Sequence, residues 1–235
     1  MSSVKLIEVK EAIMSDNDAA ANDLRKRLSS EKTFLVNLMA SPGAGKTSLL
    51  LRTLAALKLD FNMAVIEADI DSVVDAEKIA ATGVPSVQLR TGGFCHLDAA
   101  MVVKGLEAVD TASADLVFIE NVGNLVCPAE FDTGAAMDIM ILSVPEGDDK
   151  PLKYPLMFSK CRALIVNKID LLPYSDFDMS LFKQRVYQIN AGIRIFEVSC
   201  TSGEGIPDWT GWLKQSVNHF LEKNLIQSMT PGTHN

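Results

Sequence analysis

A phosphate-loop motif at residues 40–47 constrains the fold of this chain more than any other feature of its sequence. The motif reads Ala-Ser-Pro-Gly-Ala-Gly-Lys-Thr, follows an apolar run at 34–39 and precedes a leucine-bearing helical pattern. This strand–loop–helix context lets backbone N–H groups surround phosphate oxygens, and it therefore predicts a nucleotide site. An ordinary glycine turn that caps a helix is the alternative, which the Gly-Lys-Thr ending disfavours. The residues expected to contact the nucleotide are Gly43, Ala44, Gly45, Lys46, Thr47 and Ser48.

The composition is that of a globular protein with a substantial core, since 48% of the 235 residues are hydrophobic and 22% are charged. No apolar stretch approaches the roughly 20 residues that a membrane span needs, so we expect no membrane association. The N-terminus shows no apolar signal core, and we therefore expect a cytoplasmic location. A net charge of −8 argues against nucleic acid as a partner, because phosphate contacts dominate such binding.

Short apolar runs alternate with longer helical patterns along most of the chain. Several runs are continuously apolar rather than alternating, which is typical of strands that helices cover on both faces. The pattern predicts the α/β fold of a P-loop NTPase, with a doubly wound, mostly parallel sheet flanked by helices. We predict a peripheral helical segment at 1–30, the nucleotide-binding domain at 31–225, its last helix at 207–223, and a tail at 226–235. Strands are predicted at 34–39, 64–67, 87–89, 116–119, 139–144, 163–166 and 195–198.

The segment Asn-Lys-Ile-Asp at 167–170 follows a predicted strand and indicates which base is bound. The Asp170 carboxylate can accept hydrogen bonds from N1–H and the 2-amino group of guanine, whereas adenine would leave it unpaired. Asn167 is expected to hold the loop, and the stem of Lys168 to lie over the purine ring. Downstream, Ser199 and Cys200 follow the last strand and are expected to bring a backbone N–H near the guanine oxygen. GTP is therefore favoured over ATP.

Acidic residues follow two predicted strands where Mg²⁺ and the γ-phosphate would lie. Glu120 ends one strand and is the better candidate for a magnesium ligand, together with the hydroxyl of Thr47. Asp69 and Asp75 follow another strand and are expected to respond to the γ-phosphate, whereas Asp71 is interpreted as a solvated loop acid. The candidate catalytic residues are Lys46, Asp69, Asp75 and Glu120.

Two cysteines and a histidine lie in two glycine-bearing loops and form a candidate metal site. Cys95 and His96 are neighbours, so they can face one ion from a loop but not from a regular strand. Cys127 would approach from the second loop. Two thiolates and an imidazole suit Zn²⁺ or Ni²⁺, with a fourth ligand from water or from a second copy of the chain. Buried, inert thiols are the alternative, and we interpret the remaining cysteines, Cys161 and Cys200, as core residues.

The order of these motifs resembles the HypB family, the GTPases that serve nickel insertion into [NiFe] hydrogenase. The resemblance covers about 34–215, and the segments at 119–128 and 146–155 are its most specific parts. It implies a GTPase of the signal-recognition and nitrogenase-iron-protein-like branch, with low intrinsic hydrolysis and a nucleotide-dependent homodimer. It also implies that Cys95, His96 and Cys127 bind Ni²⁺ or Zn²⁺, and that Lys150 or Lys153 lies near the dimer interface. The implied partners are a HypA-like nickel chaperone and the hydrogenase large-subunit precursor.

Several departures from the family pattern bear on these expectations. The sequence has no Cys-rich N-terminal motif and no His-rich tail, so we expect no nickel-storage role. Ala40 replaces a glycine of the phosphate loop, and Ala68 replaces the glycine usual between Glu67 and Asp69. A GTPase chaperone for urease or for a cobalamin enzyme is one alternative function. A metal-binding scaffold that does not hydrolyse nucleotide is the other.

Overall fold

The structure is a computed structural model that describes residues 9–69, 74–109 and 113–229, with side chains described between 14 and 226. Asp71 and residues 1–8 and 230–235 lie outside the described residues, so the expectations for those positions stay predictions. Within the described part of the chain, no helix has both the length and the apolar character that crossing a bilayer would require.

Within the described residues, seven strands form one parallel sheet, and all seven predicted strands are confirmed. They are β1 (Phe34–Ala40), β2 (Met63–Asp69), β3 (Ser86–Arg90), β4 (Leu116–Glu120), β5 (Met137–Ser143), β6 (Ala163–Asn167) and β7 (Arg194–Glu197). The strand order is β3-β2-β4-β1-β5-β6-β7, which places β1 at the centre. The loop that follows β1 therefore leaves the sheet between two neighbouring strands that run in the same direction, the usual position of a ligand site in such a fold.

Helices cover both faces of this sheet. They are α1 (Val9–Glu31), α2 (Lys46–Leu57), α3 (Val74–Ala80), α4 (Ala99–Ala108), α5 (Cys127–Glu130), α6 (Lys150–Lys153), α7 (Pro155–Lys160), α8 (Met179–Ile189) and α9 (Ile206–Met229). Buried residues of α2, α3 and α9 pack on one face, with the fully buried Trp209 among them. Buried residues of α1, α4, α7 and α8 pack on the other face. Because alternate residues of β1 enter both clusters, the strand is apolar almost throughout.

The ends of the predicted elements differ from the observed ones by a few residues. Backbone pairing carries β2 on to Asp69, opposite Arg90, beyond the apolar run that predicted the strand. Helix α9 ends at Met229, past the predicted end at 223 and inside the segment predicted as a tail. The Ser29 hydroxyl of α1 donates to Asn224 Oδ1 at 2.9 Å, which anchors these extra turns.

Ala40 and Ala68, at the positions where the resemblance implies glycine, occupy regular strand positions. Ala40 is fully buried and pairs with Ile141, and Ala68 is almost fully buried and pairs with Leu89. Among the described residues other than glycine, only Lys32 and Lys168 have a positive φ. Alanine is therefore compatible with the backbone at both positions, and the loop itself begins after Ala40.

Candidate nucleotide and metal site

The phosphate loop connects β1 to α2 and is shaped by glycine. Gly45 has a φ of 100° and caps α2, and a Cβ added there would lie 2.4 Å from Asn167 Nδ2. Gly43 has a φ of 77° but has open space where its Cβ would be. Since an L side chain rarely adopts these angles, the loop requires glycine for its conformation, and at Gly45 also for close packing. Helix α2 begins at Lys46, so its first N–H groups point toward the loop.

The predicted guanine-binding segment is bonded directly to the phosphate loop. Asn167 is buried, and its Nδ2 donates to the carbonyl oxygen of Ala44 at 2.9 Å. Lys168 adopts a left-handed conformation and donates from Nζ to the carbonyl oxygen of Gly43 at 2.8 Å. Asn167 Oδ1 also accepts the backbone N–H of Cys200 at 3.3 Å. The structure thus brings Asn167, Lys168 and Cys200 together around one loop, as a base-binding site requires.

The other two residues predicted to read the base have different surroundings. Asp170 is exposed at the start of a short 3-10 turn, where its carboxylate is accessible to a ligand. The Ser199 hydroxyl is fully buried and accepts the backbone N–H of Ser202 at 3.1 Å, so this side chain shapes the turn. Cys200 is half-buried: it packs against the edge of the core, as interpreted, and its backbone also belongs to this loop. Burial raises the pKa of its thiol to about 11.

Arg52 of α2 is a contributor that the sequence analysis missed. Its guanidinium donates to the carbonyl oxygens of Cys200 at 2.9 Å and Thr201 at 3.1 Å. The helix that begins at the phosphate loop therefore also holds the loop that would face the guanine oxygen. An arginine on an exposed helix face has no sequence signal that distinguishes this role from ordinary solvation.

A buried pair of carboxylates stands beside the phosphate loop. Thr47 Oγ1 donates to Glu120 Oε1 at 2.7 Å, and Glu67 pairs in register with Glu120 on the neighbouring strand. Both glutamates are 3% exposed, and within the described structure the Oε2 atom of each lacks a hydrogen-bond partner. Burial, then the neighbouring carboxylates, raises the pKa of Glu67 to about 8, and burial raises that of Glu120 to about 6. A hard dication such as Mg²⁺ would supply what these oxygens lack.

The predicted catalytic residues converge on this pair electrostatically. The charges of Asp69 and Asp75 raise the pKa of Glu67, whereas the charge of Lys46 lowers it. Asp75 also accepts from Lys78 Nζ at 2.8 Å on α3. We call Glu67, Asp69, Asp75 and Glu120 the carboxylate cluster. Glu67 is its unpredicted member: an acid inside a buried strand was the available signal, but the residue was interpreted as part of the strand.

The three predicted metal ligands come together in the structure, and we call Cys95, His96 and Cys127 the Cys₂His site. Their ligand atoms all lie within 4.8 Å of one another. The two Sγ atoms are 2.9 Å apart, and Cys95 Sγ is 3.9 Å from His96 Nδ1. Each residue is partly exposed, whereas Cys161 is buried in the core as expected. The geometry favours a soft metal site over the inert-thiol alternative.

Local structure explains how neighbouring residues can face one ion. A turn at Gly92 and Gly93, both with positive φ, follows β3 and delivers Cys95 and His96 from a loop rather than a strand. The loop ends at Asp98, whose Oδ1 accepts the backbone N–H of Met101 at 2.7 Å and caps α4. The loop is therefore held at both ends.

Two aromatic rings pack against His96. The His96 ring stacks on Phe131 with centroids 3.8 Å apart, and Phe94 meets its edge at 6.4 Å. Burial lowers the pKa of His96, which favours the neutral imidazole that binds metals. The hydrogen bond with Cys95, and then burial, raises the pKa of Cys127, so a thiolate there calls for a bound cation.

The residues at 146–155, which the resemblance associates with a dimer interface, are connected to the phosphate loop. The Ser41 hydroxyl donates to Glu146, whose Oε1 accepts the backbone N–H of Ser143 at 2.7 Å. In α6, Lys153 pairs with Asp149 at 2.5 Å, and Lys150 Nζ lies 5.5 Å from the ring centroid of Tyr154.

Comparison with known proteins gives consistent results. The family described as CobW/HypB/UreG, nucleotide-binding domain, matches residues 34–197. The hydrogenase maturation factor HypB of Azotobacter vinelandii is 46% identical over 225 residues, which are 96% of this chain and 74% of that protein. A crystal structure of HypB from Helicobacter pylori in complex with nickel superimposes with a TM-score of 0.80 at 37% identity, covering 94% of this chain and 99% of that one.

A more distant likeness concerns the fold alone. The 54 kDa protein of the signal recognition particle from Aeropyrum pernix K1, in complex with GDP, has a TM-score of 0.55 at 12% identity, covering 87% of this chain and 54% of that one. The parallel P-loop fold is thus confirmed. Given the family match across the sheet and the identity to HypB over nearly its whole length, the chain belongs to the HypB family.

Proposed function

We propose that this protein is a GTP-binding, GTP-hydrolysing metallochaperone that assists nickel insertion during maturation of [NiFe] hydrogenase. The observation that carries the proposal is the connection between its two sites. Glu120, beside the phosphate loop, and Cys127, a member of the Cys₂His site, lie seven positions apart on one segment. We call residues 120–127 the linking segment. A change at the nucleotide can therefore reach the metal through a short piece of backbone.

Nucleotide binding follows from the residues around the phosphate loop. Its N–H groups and Lys46 would bind the phosphates, while Asn167, Lys168, Asp170 and the Cys200 backbone would bind guanine. Thr47 and Glu120 would hold Mg²⁺, which would neutralise the developing charge on the phosphates. The orphaned Oε2 atom of Glu120 supports this assignment, because a buried carboxylate oxygen without a hydrogen-bond partner would be satisfied by a bound cation. We propose a low intrinsic rate, from family resemblance.

The metal is the cargo in this proposal rather than a resident cofactor. Ni²⁺ is the physiological choice, and Zn²⁺ suits the same thiolate and imidazole ligands. Three protein ligands leave a position that water or a second subunit would fill. A nucleotide-dependent homodimer is proposed on this ground, with Lys150 or Lys153 near the interface. The Ser41–Glu146 hydrogen bond supports it, because it ties that region to the phosphate loop.

The proposed partners are a HypA-like nickel chaperone, which supplies the ion, and the hydrogenase large-subunit precursor, which receives it. Both would meet this protein in the cytoplasm. A nickel ion held by partly exposed ligands can pass to a partner, whereas one enclosed in the core cannot. The partial exposure of all three members of the Cys₂His site therefore supports a delivery role.

Hydrolysis and metal binding can be tested with two variants. Wild-type protein should hydrolyse GTP, and Lys46→Ala should not, because the phosphates lose their cation. Nickel titration should give one site per chain in wild-type protein and a large loss of affinity in Cys95→Ala. Equal GTP hydrolysis by wild type and Lys46→Ala would instead favour the non-hydrolysing scaffold.

Deletion of the gene distinguishes a hydrogenase chaperone from a chaperone for urease or for a cobalamin enzyme. Loss of hydrogenase activity with retained urease and cobalamin-dependent activities supports the hydrogenase assignment. Loss of urease or of a cobalamin enzyme, with hydrogenase intact, would transfer the function to a related chaperone.

A further inference from the structure

The end of strand β4 carries two adjacent polar residues whose side chains face opposite sides of the sheet. Glu120 faces α2, where its Oε1 accepts the Thr47 hydroxyl at 2.7 Å. Asn121 is fully buried on the other side, and its Oδ1 accepts the backbone N–H of Leu97 at 3.3 Å and that of Val122 at 2.9 Å. Because side chains alternate along a strand, the Glu120 carboxylate and the Asn121 amide point to opposite faces of the sheet.

The hydrogen bond from Leu97 is significant because of what precedes this residue. Leu97 directly follows Cys95 and His96, two of the three members of the Cys₂His site. The Asn121 backbone N–H is itself fixed to the carbonyl oxygen of Leu38 at 3.0 Å, in the central strand. The loop that carries two metal ligands is thus attached to the sheet at the residue after Glu120.

The orientation of the Asn121 amide is imposed by two further side chains. Asn121 Nδ2 donates to Asn37 Oδ1 at 3.1 Å, and Asn37 Nδ2 donates to Asp138 Oδ1 at 2.8 Å. An ionised carboxylate can only accept, so the NH₂ group of Asn37 must face Asp138. Its oxygen then faces Asn121, whose own oxygen is left to face Leu97. A flipped Asn121 would set its NH₂ group against the Leu97 N–H, with no acceptor between them.

The linking segment also touches the phosphate loop at a second point. A Cβ added at Gly123 would lie 3.1 Å from Pro42 Cγ and 3.2 Å from Pro42 N. The segment on either side of Asn121 is therefore in contact with the loop, through Glu120 before it and Gly123 after it. A displacement of the phosphate loop cannot leave Asn121 unaffected, because close-packed contacts transmit small shifts.

We propose that Asn121 is the positioning residue that transmits the state of the nucleotide to the Cys₂His site. This inference rests on the proposed function, because it specifies how the coupling between the two sites is carried. Asn121 itself binds neither ligand. It holds the His96 loop in register with the strand end that carries Glu120, so that the loop follows when that end moves.

The test compares nickel affinity in the two nucleotide states. The dissociation constant for Ni²⁺ is measured with GDP and with a non-hydrolysable GTP analogue at about pH 8, so that Asp138, whose pKa is raised to about 6, is ionised. Wild-type protein is expected to show a ratio of about fivefold or more between the states, the lower end of ordinary allosteric coupling. In Asn121→Ala the ratio is expected to fall within about twofold of one, while binding of both nucleotides and one nickel per chain are retained.

Asn17→Ala is the matched control. Asn17 is also a buried asparagine near the same loop, with Oδ1 accepting the backbone N–H of Ala99 at 3.0 Å and Nδ2 donating to the carbonyl oxygen of Asp132 at 2.9 Å. It anchors the start of α4 but makes no hydrogen bond to the linking segment. Its ratio is expected to stay at the wild-type value. Asn121→Ser, whose hydroxyl is too short to reach Leu97, replaces Asn121→Ala if that variant does not fold.

A spectroscopic readout separates positioning from mere stability. In wild-type protein the thiolate-to-nickel charge-transfer absorption should differ between the two nucleotide states, and in the Asn121 variants the two spectra should coincide. If the Asn121 variants keep the wild-type ratio of nickel dissociation constants, the inference is overturned and the proposed function stays intact. The same holds if Asn17→Ala lowers this ratio as much as Asn121→Ala does. A wild-type ratio of one overturns the coupling in the proposed function itself.

Discussion

Single residues decide whether the two sites can form at all, and Gly45 shows this most directly. The position has a φ of 100° and stands where a Cβ would collide with the Asn167 amide. Asn167 Oδ1 in turn accepts the Cys200 N–H, so a substitution at Gly45 that displaces Asn167 would also disturb the loop expected to face the base. Gly45 thus meets two requirements, a left-handed backbone conformation and the absence of a Cβ atom.

Gly45→Ala is expected to weaken GDP binding by more than Gly43→Ala does. Both substitutions place alanine in a left-handed conformation, which costs about 1–2 kcal/mol or about tenfold in affinity. At Gly45 the Asn167 side chain must also move away, which removes its contact with the loop. Titration with a fluorescent GDP derivative gives both constants. Equal losses in the two variants would show that the close approach to Asn167 has no effect on binding.

Asp138 is a second residue whose effect can be predicted, because burial raises the pKa of its carboxyl to about 6. A carboxyl that holds its proton more tightly in the folded state contributes stability at low pH, which is lost as the pH rises through about 6. Asp132 opposes ionisation of this group, and Arg25, Lys160 and the Asn37 hydrogen bond favour it.

Asp138→Asn removes this titration and is therefore expected to gain in stability relative to wild type as the pH rises. Between about pH 5 and about pH 8 the difference in unfolding free energy should move in favour of the variant by about 1 kcal/mol. Thermal or urea unfolding at both pH values measures it, with the exposed Asp176→Asn as a control for loss of a carboxylate. A difference that moves the other way would mean that Asp138 is stabilised as an anion.

At the scale of elements, the helix that follows the metal loop contributes to the site through its first turn. Asp98 caps α4 two residues after His96, and Asp178 caps α8 by the same contact, accepting the Leu181 N–H at 2.9 Å. The two caps are chemically alike, but only that of α4 adjoins the Cys₂His site. They provide a natural comparison between helix stability and metal binding.

Asp98→Ala and Asp178→Ala are each expected to cost about 1 kcal/mol, or a fall in Tm of about 2–4 °C. Asp98→Ala should also weaken nickel binding by about tenfold, because the loop loses its fixed end and the ion loses a nearby charge. Asp178→Ala should leave the nickel constant unchanged. Asp98→Asn keeps the cap without the charge, so it separates the two causes by isothermal titration. Unchanged nickel binding in Asp98→Ala would contradict the role of α4 in the site.

The elements themselves were largely predictable, because strands covered on both faces are continuously apolar. The run before the phosphate loop predicts β1 to within one residue, and the run before Asn167 predicts β6 equally well. Boundaries were less predictable where pairing continues through polar residues such as Asp69, or where a tertiary contact such as Ser29–Asn224 extends a helix. Local sequence does not contain those partners.

The residues of the candidate site likewise fall into those with a local sequence signature and those whose role depends on distant partners. Phosphate-loop, guanine and Cys₂His residues carry chemical signatures in their type and spacing, and the structure brings them together. Glu67 and Arg52 were missed, since one resembled part of a strand and the other a solvated helix residue. Asn37 and Asn121 were missed because a neutral amide shows its role only when its partners, 84 positions apart in the chain, are brought together.

At the scale of the whole molecule, the sheet places two chemically different sets of side chains on one segment. Hard oxygen ligands on one side of β4 suit a magnesium nucleotide, and soft ligands beyond its end suit nickel. We propose that binding of nucleotide at one site changes the free energy of nickel binding at the other. Coupling of this kind is reciprocal, so the effect of nickel on nucleotide must equal the effect of nucleotide on nickel.

The most direct test is therefore the affinity of wild-type protein for a non-hydrolysable GTP analogue and for GDP, each measured with and without saturating Ni²⁺. Nickel is expected to change the ratio of the two nucleotide affinities by about fivefold or more. In Cys95→Ala this change is expected to disappear. A ratio that is the same with and without nickel, in protein shown to bind both ligands, would show that the two sites are not coupled.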